Sequence, residues 1–180
     1  MAVDLFKKID NTVLDLQASQ SQTYEGLFEK LAQLLRHEDL QPFNKILTKN
    51  IDLEQFLEAS YATQKGMSGT SKLQWTGDDE HDLGLKYALI QKIGNDTSYA
   101  FNYAYEFFSS RDNKTISCIH NLVRGLVIPF VRDYKEYIAS NSSIEPELKI
   151  DDASTIIQSN RKVFVVHGHD DHAKEMMARF

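Results

Sequence analysis

Apolar residues recur at intervals of three and four along most of the chain, a spacing that predicts amphipathic helices. The first two apolar stripes are Leu5, Ile9, Val13 and Leu16, followed by Leu27, Phe28, Leu31, Leu34 and Leu35. Asp52 is a suitable N-cap with Gln55 three residues later, an arrangement that predicts the start of another helix. Helical spacing continues to about residue 137, and residues 1–139 are therefore expected to form an all-α domain.

Glycine and proline divide this helical region. The stretch Gly66–Gly77 contains three glycines and predicts a loop, after which the acidic cluster "DDEHD" suits the positive end of the next helix dipole. That helix is expected to stop near Gly94. Two further helices are predicted in "TSYAFNYAYEFFSS" and in the long segment "DNKTISCIHNLVRGLVIPFVRDYKEYIAS". Pro129 lies inside the long segment and should kink or split it, because proline has no amide donor.

The pattern changes after residue 140. Residues 140–160 are rich in Ser, Asn, Asp and Glu and predict a polar linker. The run "KVFVV" that follows is typical of a strand buried on both faces in a parallel sheet, and "HAKEMMARF" returns to helical spacing. Residues 161–180 therefore predict the first βα unit of an incomplete α/β domain. The predicted fold class is mainly α, with a helical domain followed by this unit.

Composition limits the classes of partner. The chain has 180 residues, of which 42% are hydrophobic, so it can bury a core. Its net charge is −6 and no run of Lys and Arg exceeds a pair, so neither a nucleic acid nor an anionic membrane is expected as a partner. The longest apolar run, Gly125–Val131, is too short to span a bilayer. The N-terminus lacks the features of a signal peptide and the single cysteine, Cys118, excludes an internal disulfide, so a cytoplasmic location is expected.

Three of the six histidines lie in "HGHDDH", between the predicted strand and the predicted helix. One interpretation is a metal site, because His167, His169, Asp171 and His172 fit the pattern H-x-H-x-D-H. This pattern resembles the ligand loop of the metallo-β-lactamase superfamily, which would make the protein a metal-dependent hydrolase. However, that superfamily has strands before the motif, and here a long helical region precedes it. Another interpretation is a solvated loop in which Asp170 or Asp171 caps the helix.

The whole stretch "RKVFVVHGHDDHAKEMMARF" resembles the first strand and helix of the bacterial TIR-like family of nucleotide-binding proteins, which have a flavodoxin-like fold. A chain that leaves a buried parallel strand and enters a helix presents free backbone amides to a phosphate or ribose. Gly168 would allow close approach of the backbone to a nucleotide. His167, His169 and Asp170 would hydrogen-bond ribose or phosphate oxygens, and these four residues are the predicted nucleotide-binding residues.

The resemblance implies an enzyme that consumes NAD. Many bacterial TIR domains cleave the nicotinamide glycosidic bond with a glutamate on a later helix, usually after oligomerisation and in antiphage defence. Only one strand and the start of one helix are present here, so no catalytic residue is assigned and the chain is expected to be an inactive fragment of a longer protein. The helical domain is then expected to sense a signal or to assemble homo-oligomers. For this chain alone, the alternative is a non-catalytic interaction module.

Other groups of residues favour structural roles. The stretch "FNYAYEFF" has helical spacing, which indicates core or a subunit interface rather than a base-stacking platform. The cluster "GDDEHD" lacks the pattern of a calcium loop and is interpreted as a solvated helix start. Cys118 and His120 lie two positions apart on a predicted helix and point in different directions, so a catalytic pair is not expected and Cys118 is interpreted as a buried thiol. Arg111 and His120 are too far apart for the Arg-to-His spacing of the helical ribonucleases called HEPN.

Overall fold

The computed structural model describes residues 2–64, 71–112 and 114–142, and these residues form a helical domain. The described elements are α1 (Ala2–Gln17), α2 (Tyr24–Leu35), a 3-10 turn (Glu38–Leu40), α3 (Gln41–Leu47), α4 (Leu53–Tyr61), α5 (Asp79–Asn95), α6 (Thr97–Phe107), α7 (Thr115–Leu122), a π-helical turn (Val123–Val127) and α8 (Ile128–Asn141). The prediction of a mainly α fold is confirmed for this part of the chain. The predicted linker, the predicted βα unit and the four predicted nucleotide-binding residues lie outside the described residues.

Helix α5 lies at the centre of the domain and packs against α2, α3, α4, α6 and α8. Its apolar residues are buried around most of its circumference, and they are Leu83, Leu85, Tyr87, Leu89, Ile90 and Ile93. A helix buried on nearly all sides has no single apolar stripe. This explains why the apolar residues of the segment "LGLKYALIQKIG" do not fall on a single stripe.

The apolar stripes predicted for the first two helices are confirmed as core faces. On α1 the predicted stripe, Leu5, Ile9, Val13 and Leu16, is buried. On α2, Phe28, Leu31 and Leu35 are buried, whereas Leu27 and Leu34 are partly buried at the edge of the core. Helix α1 packs against α2, the π-helical turn and α8. Both helices therefore follow the periodicity of the sequence.

Helices α2 and α5 approach each other closely at Gly94. A Cβ atom at this position would lie 2.4 Å from the Cβ of Ala32 and 2.9 Å from the carbonyl oxygen of Phe28. Because such distances are below any van der Waals contact, glycine is needed here for packing. Helix α5 continues to Asn95, so Gly94 lies within its last turn.

Aspartates cap three of the described helices. The predicted cap at Asp52 is confirmed, because its carboxylate accepts the N–H of Gln55 at 2.9 Å. Asp78 caps α5 by accepting the N–H of His81 at 2.8 Å, which agrees with the helix start predicted in the acidic cluster. Asp96 accepts the N–H of Ser98 at 3.1 Å at the start of α6. Each carboxylate satisfies an amide that the helix itself leaves free.

Helix α3 holds a buried polar contact that joins three elements. The side-chain amide of Asn44 donates to the carbonyl oxygen of Leu35, at the end of α2, at 2.8 Å. The hydroxyl of Tyr134 on α8 donates to the side-chain oxygen of the same asparagine. Asn44 is buried, so these bonds replace the water it would otherwise contact.

The long helical segment is interrupted just before Pro129. Helix α7 ends at Leu122, the π-helical turn follows, and α8 begins at Ile128. Since Pro129 has no N–H, it cannot donate the hydrogen bond that an α-helix would give to the carbonyl of Gly125. The π-helical turn, which is wider than an α-helical turn, contains Gly125. A Cβ at Gly125 would also lie 2.6 Å from the ring of Phe108. The segment therefore stays helical from Thr115 to Asn141, with a π-helical turn at the place where Pro129 was predicted to kink or split it.

No helix in the described ranges is both long and apolar enough to cross a membrane.

Candidate functional site

The described residues include two surface features with functional potential, a charged cleft and an aromatic helix face. The predicted nucleotide-binding residues His167, Gly168, His169 and Asp170 lie outside the described residues, as does the alternative metal motif. The charged cleft and the aromatic helix face both lie on the helical domain.

The charged cleft lies between the start of α5 and the outer side of α8 and has a volume of about 430 Å³. It is lined by Asp79, Glu80, Asp82, Leu83, Lys86, Arg132, Asp133, Glu136 and Tyr137. The sequence did not predict that these residues lie together, because the two halves of the cleft come from helices far apart in the chain. Lys86 and Asp133, for example, are 47 positions apart and form an ion pair at 3.4 Å.

Two of the carboxylates in this cleft have partners that hold their position. Asp133 pairs with Lys86 and also with Arg132, whose guanidinium lies 2.8 Å away. Asp82 accepts the N–H of Thr76 at 2.9 Å and the N–H of Gly77 at 3.1 Å, and so fixes the end of the preceding loop. The ion pair between Asp133 and Lys86 thus joins α8 to α5, and the hydrogen bonds of Asp82 hold the preceding loop in place.

Asp79, Glu80 and Glu136 have no cationic partner among the described residues, so the cleft is negative overall. Tyr137 lies at one end of the cleft. Burial and, to a smaller extent, the negative charge of Glu80 raise the pKa of its hydroxyl. No group of three or more His, Cys, Asp and Glu side chains in the described ranges is placed to hold a metal ion. The acidic stretch is the start of α5, as predicted, because the carboxylate of Asp78 accepts the N–H of His81.

The residues considered as catalytic pairs have structural contacts. Cys118 is buried in the core with a free thiol. The Nε2 atom of His120 lies 3.0 Å from the carbonyl oxygen of Ser19, so this ring links α7 to the turn after α1. The expectation of a buried thiol at Cys118 is confirmed.

Helix α6 divides its aromatic residues between the core and the surface. Tyr103 is fully buried, and its ring centroid lies 4.8 Å from that of Phe107 and 5.6 Å from that of Tyr99. Burial raises the pKa values of both Tyr99 and Tyr103 well above the ordinary tyrosine value. The inner half of "FNYAYEFF" is thus core, as predicted.

The other half of α6 faces outward. Phe101 and Tyr105 lie one helical turn apart with ring centroids at 6.0 Å, and 49% of Tyr105 is exposed. Glu106 is the one charged residue of α6, and its carboxylate accepts the N–H of Ser71 at 3.2 Å and also the hydroxyl of that serine. Phe101 and Tyr105 therefore form an aromatic pair on the outward side of α6.

Comparison with known proteins identifies a curated relative of this chain. The chain is 39% identical, over all 180 residues, to the uncharacterized protein YuaY of Escherichia coli strain K12. The chain spans 57% of the length of this curated relative. No protein-family model matches the chain, and no solved structure matches it.

Proposed function

We propose that the helical domain is the regulatory and assembly part of a longer protein, and that the C-terminal part of that protein is a TIR-like nucleotide-binding effector that cleaves NAD in antiphage defence. The observation that carries this proposal is the order of the parts in the sequence. A helical domain with its own core is followed by "RKVFVVHGHDDHAKEMMARF", which has the spacing of a buried strand, a polar loop and a helix.

The length of the relative supports this proposal. The whole of this chain matches YuaY, yet 43% of that protein remains unmatched. A stretch of that size is on the order of one ordinary domain. It is long enough to supply the further strands and helices that an α/β domain needs around its first βα unit.

In the proposed effector, the loop after the first strand contacts the nucleotide. Gly168 lets the backbone approach the ligand, and the side chains of His167, His169 and Asp170 hydrogen-bond its ribose or phosphate oxygens. Cleavage would add water to the anomeric carbon of the ribose and release nicotinamide. The catalytic glutamate would lie on a later helix, so the 180-residue chain by itself should be inactive.

The test compares purified full-length YuaY with this chain in an assay of nicotinamide release from NAD. We expect YuaY to release nicotinamide and the 180-residue chain to release none. Replacement by alanine of the YuaY residue that aligns with His169 should weaken NAD binding, whereas replacement of the residue aligned with His37, in the helical domain, should not. A full-length protein that neither binds nor cleaves NAD would refute the proposal.

The same preparations test the alternative of a metal-dependent hydrolase, which the H-x-H-x-D-H pattern favours. That function requires stoichiometric zinc or iron in the purified chain, measured by elemental analysis, and its loss when His167 and His169 are replaced by alanine. Metal content that is unchanged by these substitutions would count against a site at this motif.

A further inference from the structure

A second cleft, which we call the Tyr87 cleft, runs along α5 beside the end of α3 and the start of α4. Its volume is about 530 Å³. Thr48 and Leu53 line it from α3 and α4, and six residues of the stretch from Tyr87 to Asp96 supply the rest of its wall. Small-molecule sites in proteins have volumes of about 300–1,000 Å³, so the Tyr87 cleft is large enough to hold such a ligand.

The wall of the Tyr87 cleft contains a buried tyrosine whose hydroxyl has no partner. Tyr87 is only 8% exposed, and its ring centroid lies 6.4 Å from that of Phe130 and 6.3 Å from that of Tyr134. The hydroxyl of Tyr134 bonds Asn44, whereas the hydroxyl of Tyr87 bonds no residue in the described ranges. Buried polar groups are nearly always hydrogen-bonded. The hydroxyl of Tyr87 is therefore available to a molecule in the cleft.

A cation without an acidic partner lies beside this tyrosine. The carbonyl oxygen of Ala32 accepts the side-chain amide of Gln91 and the Nε of Arg36, each at 3.2 Å. Because Gln91 lines the cleft, this shared acceptor places the guanidinium next to the cleft. Arg36 forms no ion pair with a carboxylate in the described part of the chain. Burial raises the pKa of Tyr87, and the charge of Arg36 partly offsets this rise, as a nearby cation does.

The remainder of the Tyr87 cleft has an apolar middle and an acidic end. Leu53 and Ala88 are half-buried and form the middle of the wall. Asp96 lies at the far end, about 13 Å from Tyr87 along the helix at a rise of 1.5 Å per residue. The ammonium of Lys92 is already paired, at 3.0 Å, with an acidic side chain on α4. The Tyr87 end is therefore the end that has unpaired positive charge.

We propose that the Tyr87 cleft binds a small molecule that carries one oxyanion, a carboxylate or a phosphate, on an apolar body such as an aromatic ring. The guanidinium of Arg36 and the hydroxyl of Tyr87 donate hydrogen bonds to the oxyanion, which a guanidinium can bind through two oxygens at once. The apolar body lies over Leu53 and Ala88. This site goes beyond the proposed function, because it gives the helical domain a ligand of its own and does not depend on NAD cleavage.

The main test is isothermal titration calorimetry of the full 180-residue chain with benzoate, which carries a carboxylate on a single ring. We expect one benzoate to bind per chain. Tyr87→Phe removes only the hydroxyl and Arg36→Gln removes the charge, and each should raise the Kd for benzoate by about tenfold or more. The matched control is Arg111→Gln, at an exposed arginine outside the cleft, which should bind benzoate like the wild type.

Urea unfolding without ligand separates a binding role from a structural role. The hydroxyl of Tyr87 has no partner to lose, so Tyr87→Phe should unfold at the same urea concentration as the wild type. Tyr134→Phe removes a hydroxyl that bonds Asn44, so this variant should be less stable but should keep the wild-type Kd for benzoate. If Tyr87→Phe lost as much stability as Tyr134→Phe, the hydroxyl would be structural and the proposal would be overturned.

Three further probes define the ligand. Benzamide has the shape of benzoate without its charge and should bind at least about tenfold more weakly. Phenyl phosphate places the other oxyanion on the same ring, so its affinity relative to benzoate identifies the head group. Inorganic phosphate has no ring and should bind more weakly than phenyl phosphate. Equal affinities for benzamide and benzoate would overturn the role of the oxyanion, and equal affinities for the two phosphates would overturn the role of the apolar wall.

The outcomes also separate this inference from the proposed function. The proposal fails if neither benzoate nor phenyl phosphate binds the wild-type chain at millimolar concentration. It also fails if both bind but neither Tyr87→Phe nor Arg36→Gln weakens them, because the site would then lie elsewhere. None of these titrations contains NAD, so the assay of nicotinamide release by full-length YuaY tests the effector part independently of either result.

Discussion

The close contact of α2 and α5 makes Gly94→Ala an informative perturbation. The added Cβ would lie 2.4 Å from the Cβ of Ala32 and 2.9 Å from the carbonyl oxygen of Phe28. Carbon atoms pack at about 3.5–4.0 Å, so the first distance is too short by more than about 1 Å. Neither obstacle can rotate away, because alanine has no rotamers and the oxygen belongs to the backbone. The two helices must therefore move apart.

The size of the effect follows from two opposing contributions. Overpacking in a core costs about 1–3 kcal/mol of the free energy of unfolding. The better helix propensity of alanine returns up to about 1 kcal/mol. We therefore expect Gly94→Ala to destabilise the domain by about 1–2 kcal/mol and to lower its Tm by about 2–8 °C. The assay is thermal and urea unfolding followed by circular dichroism.

Two further variants test whether the contact between α2 and α5 causes this loss of stability. Gly26→Ala on α2 is the matched control, because a Cβ at Gly26 meets nothing within 4 Å, and it should leave the stability unchanged or raise it by about 0.5–1 kcal/mol. Adding Ala32→Gly to Gly94→Ala removes the shorter clash and should restore part of the loss. A Gly94→Ala variant as stable as the wild type, or a double variant whose effects simply add, would show that this contact does not limit the packing.

Three other outcomes follow from buried or hydrogen-bonded polar groups. Asn44→Ala leaves the Tyr134 hydroxyl and the Leu35 carbonyl without partners and should cost about 2–5 kcal/mol in urea unfolding, more than the exposed Asn50→Ala. The hydroxyls of Ser110 and Ser117 lower the pKa of Asp112 to about 2 from the ordinary 3.8; the stabilisation is therefore present above about pH 4 and lost as the pH falls towards 2. Ser117→Ala should move this pKa back up in an NMR titration, and an unmoved pKa would contradict the assignment. Burial raises the pKa values of Tyr103 and Tyr134 above the ordinary 10.0, so their stabilisation is complete below pH 10 and is lost at higher pH. Tyrosinate absorbance should therefore rise cooperatively with unfolding in alkali, and full ionisation of a still-folded domain would rule this out.

Among the helices that the sequence predicted, α1 and α2 have periodic burial. The stripes on α1 and α2 repeat over several turns, so the pattern alone identified them and their core faces. The seven-residue helix Gln41–Leu47 was missed, because it is too short to show a repeat and is held instead by Asn44 and its long-range bonds. Helix α5 ends at Asn95, near Gly94 as predicted, but the sequence did not indicate that Gly94 also allows the close contact with α2.

The candidate surfaces were less predictable than the helices. The cleft between α5 and α8 depends on pairs such as Lys86 and Asp133, which tertiary packing brings together and no local spacing indicates. The pattern of "FNYAYEFF" showed a helix with aromatic residues on several sides, but which ring faces the core depends on how α6 packs against α5 and α7. The nucleotide-binding loop predicted at His167 rests on residue types and their order within one local motif.

The π-helical turn before Pro129 has a consequence for how this segment can vary among related proteins. Relative to an α-helix, the wide turn accommodates one additional residue, which rotates everything after it by about 100°. With this rotation α7 packs against α6 while α8 packs against α1 and α5. Loss of one residue would turn Phe130 and Tyr134 away from the core. Related sequences should therefore show a single-residue gap between residues 115 and 141 only when an insertion nearby restores the register.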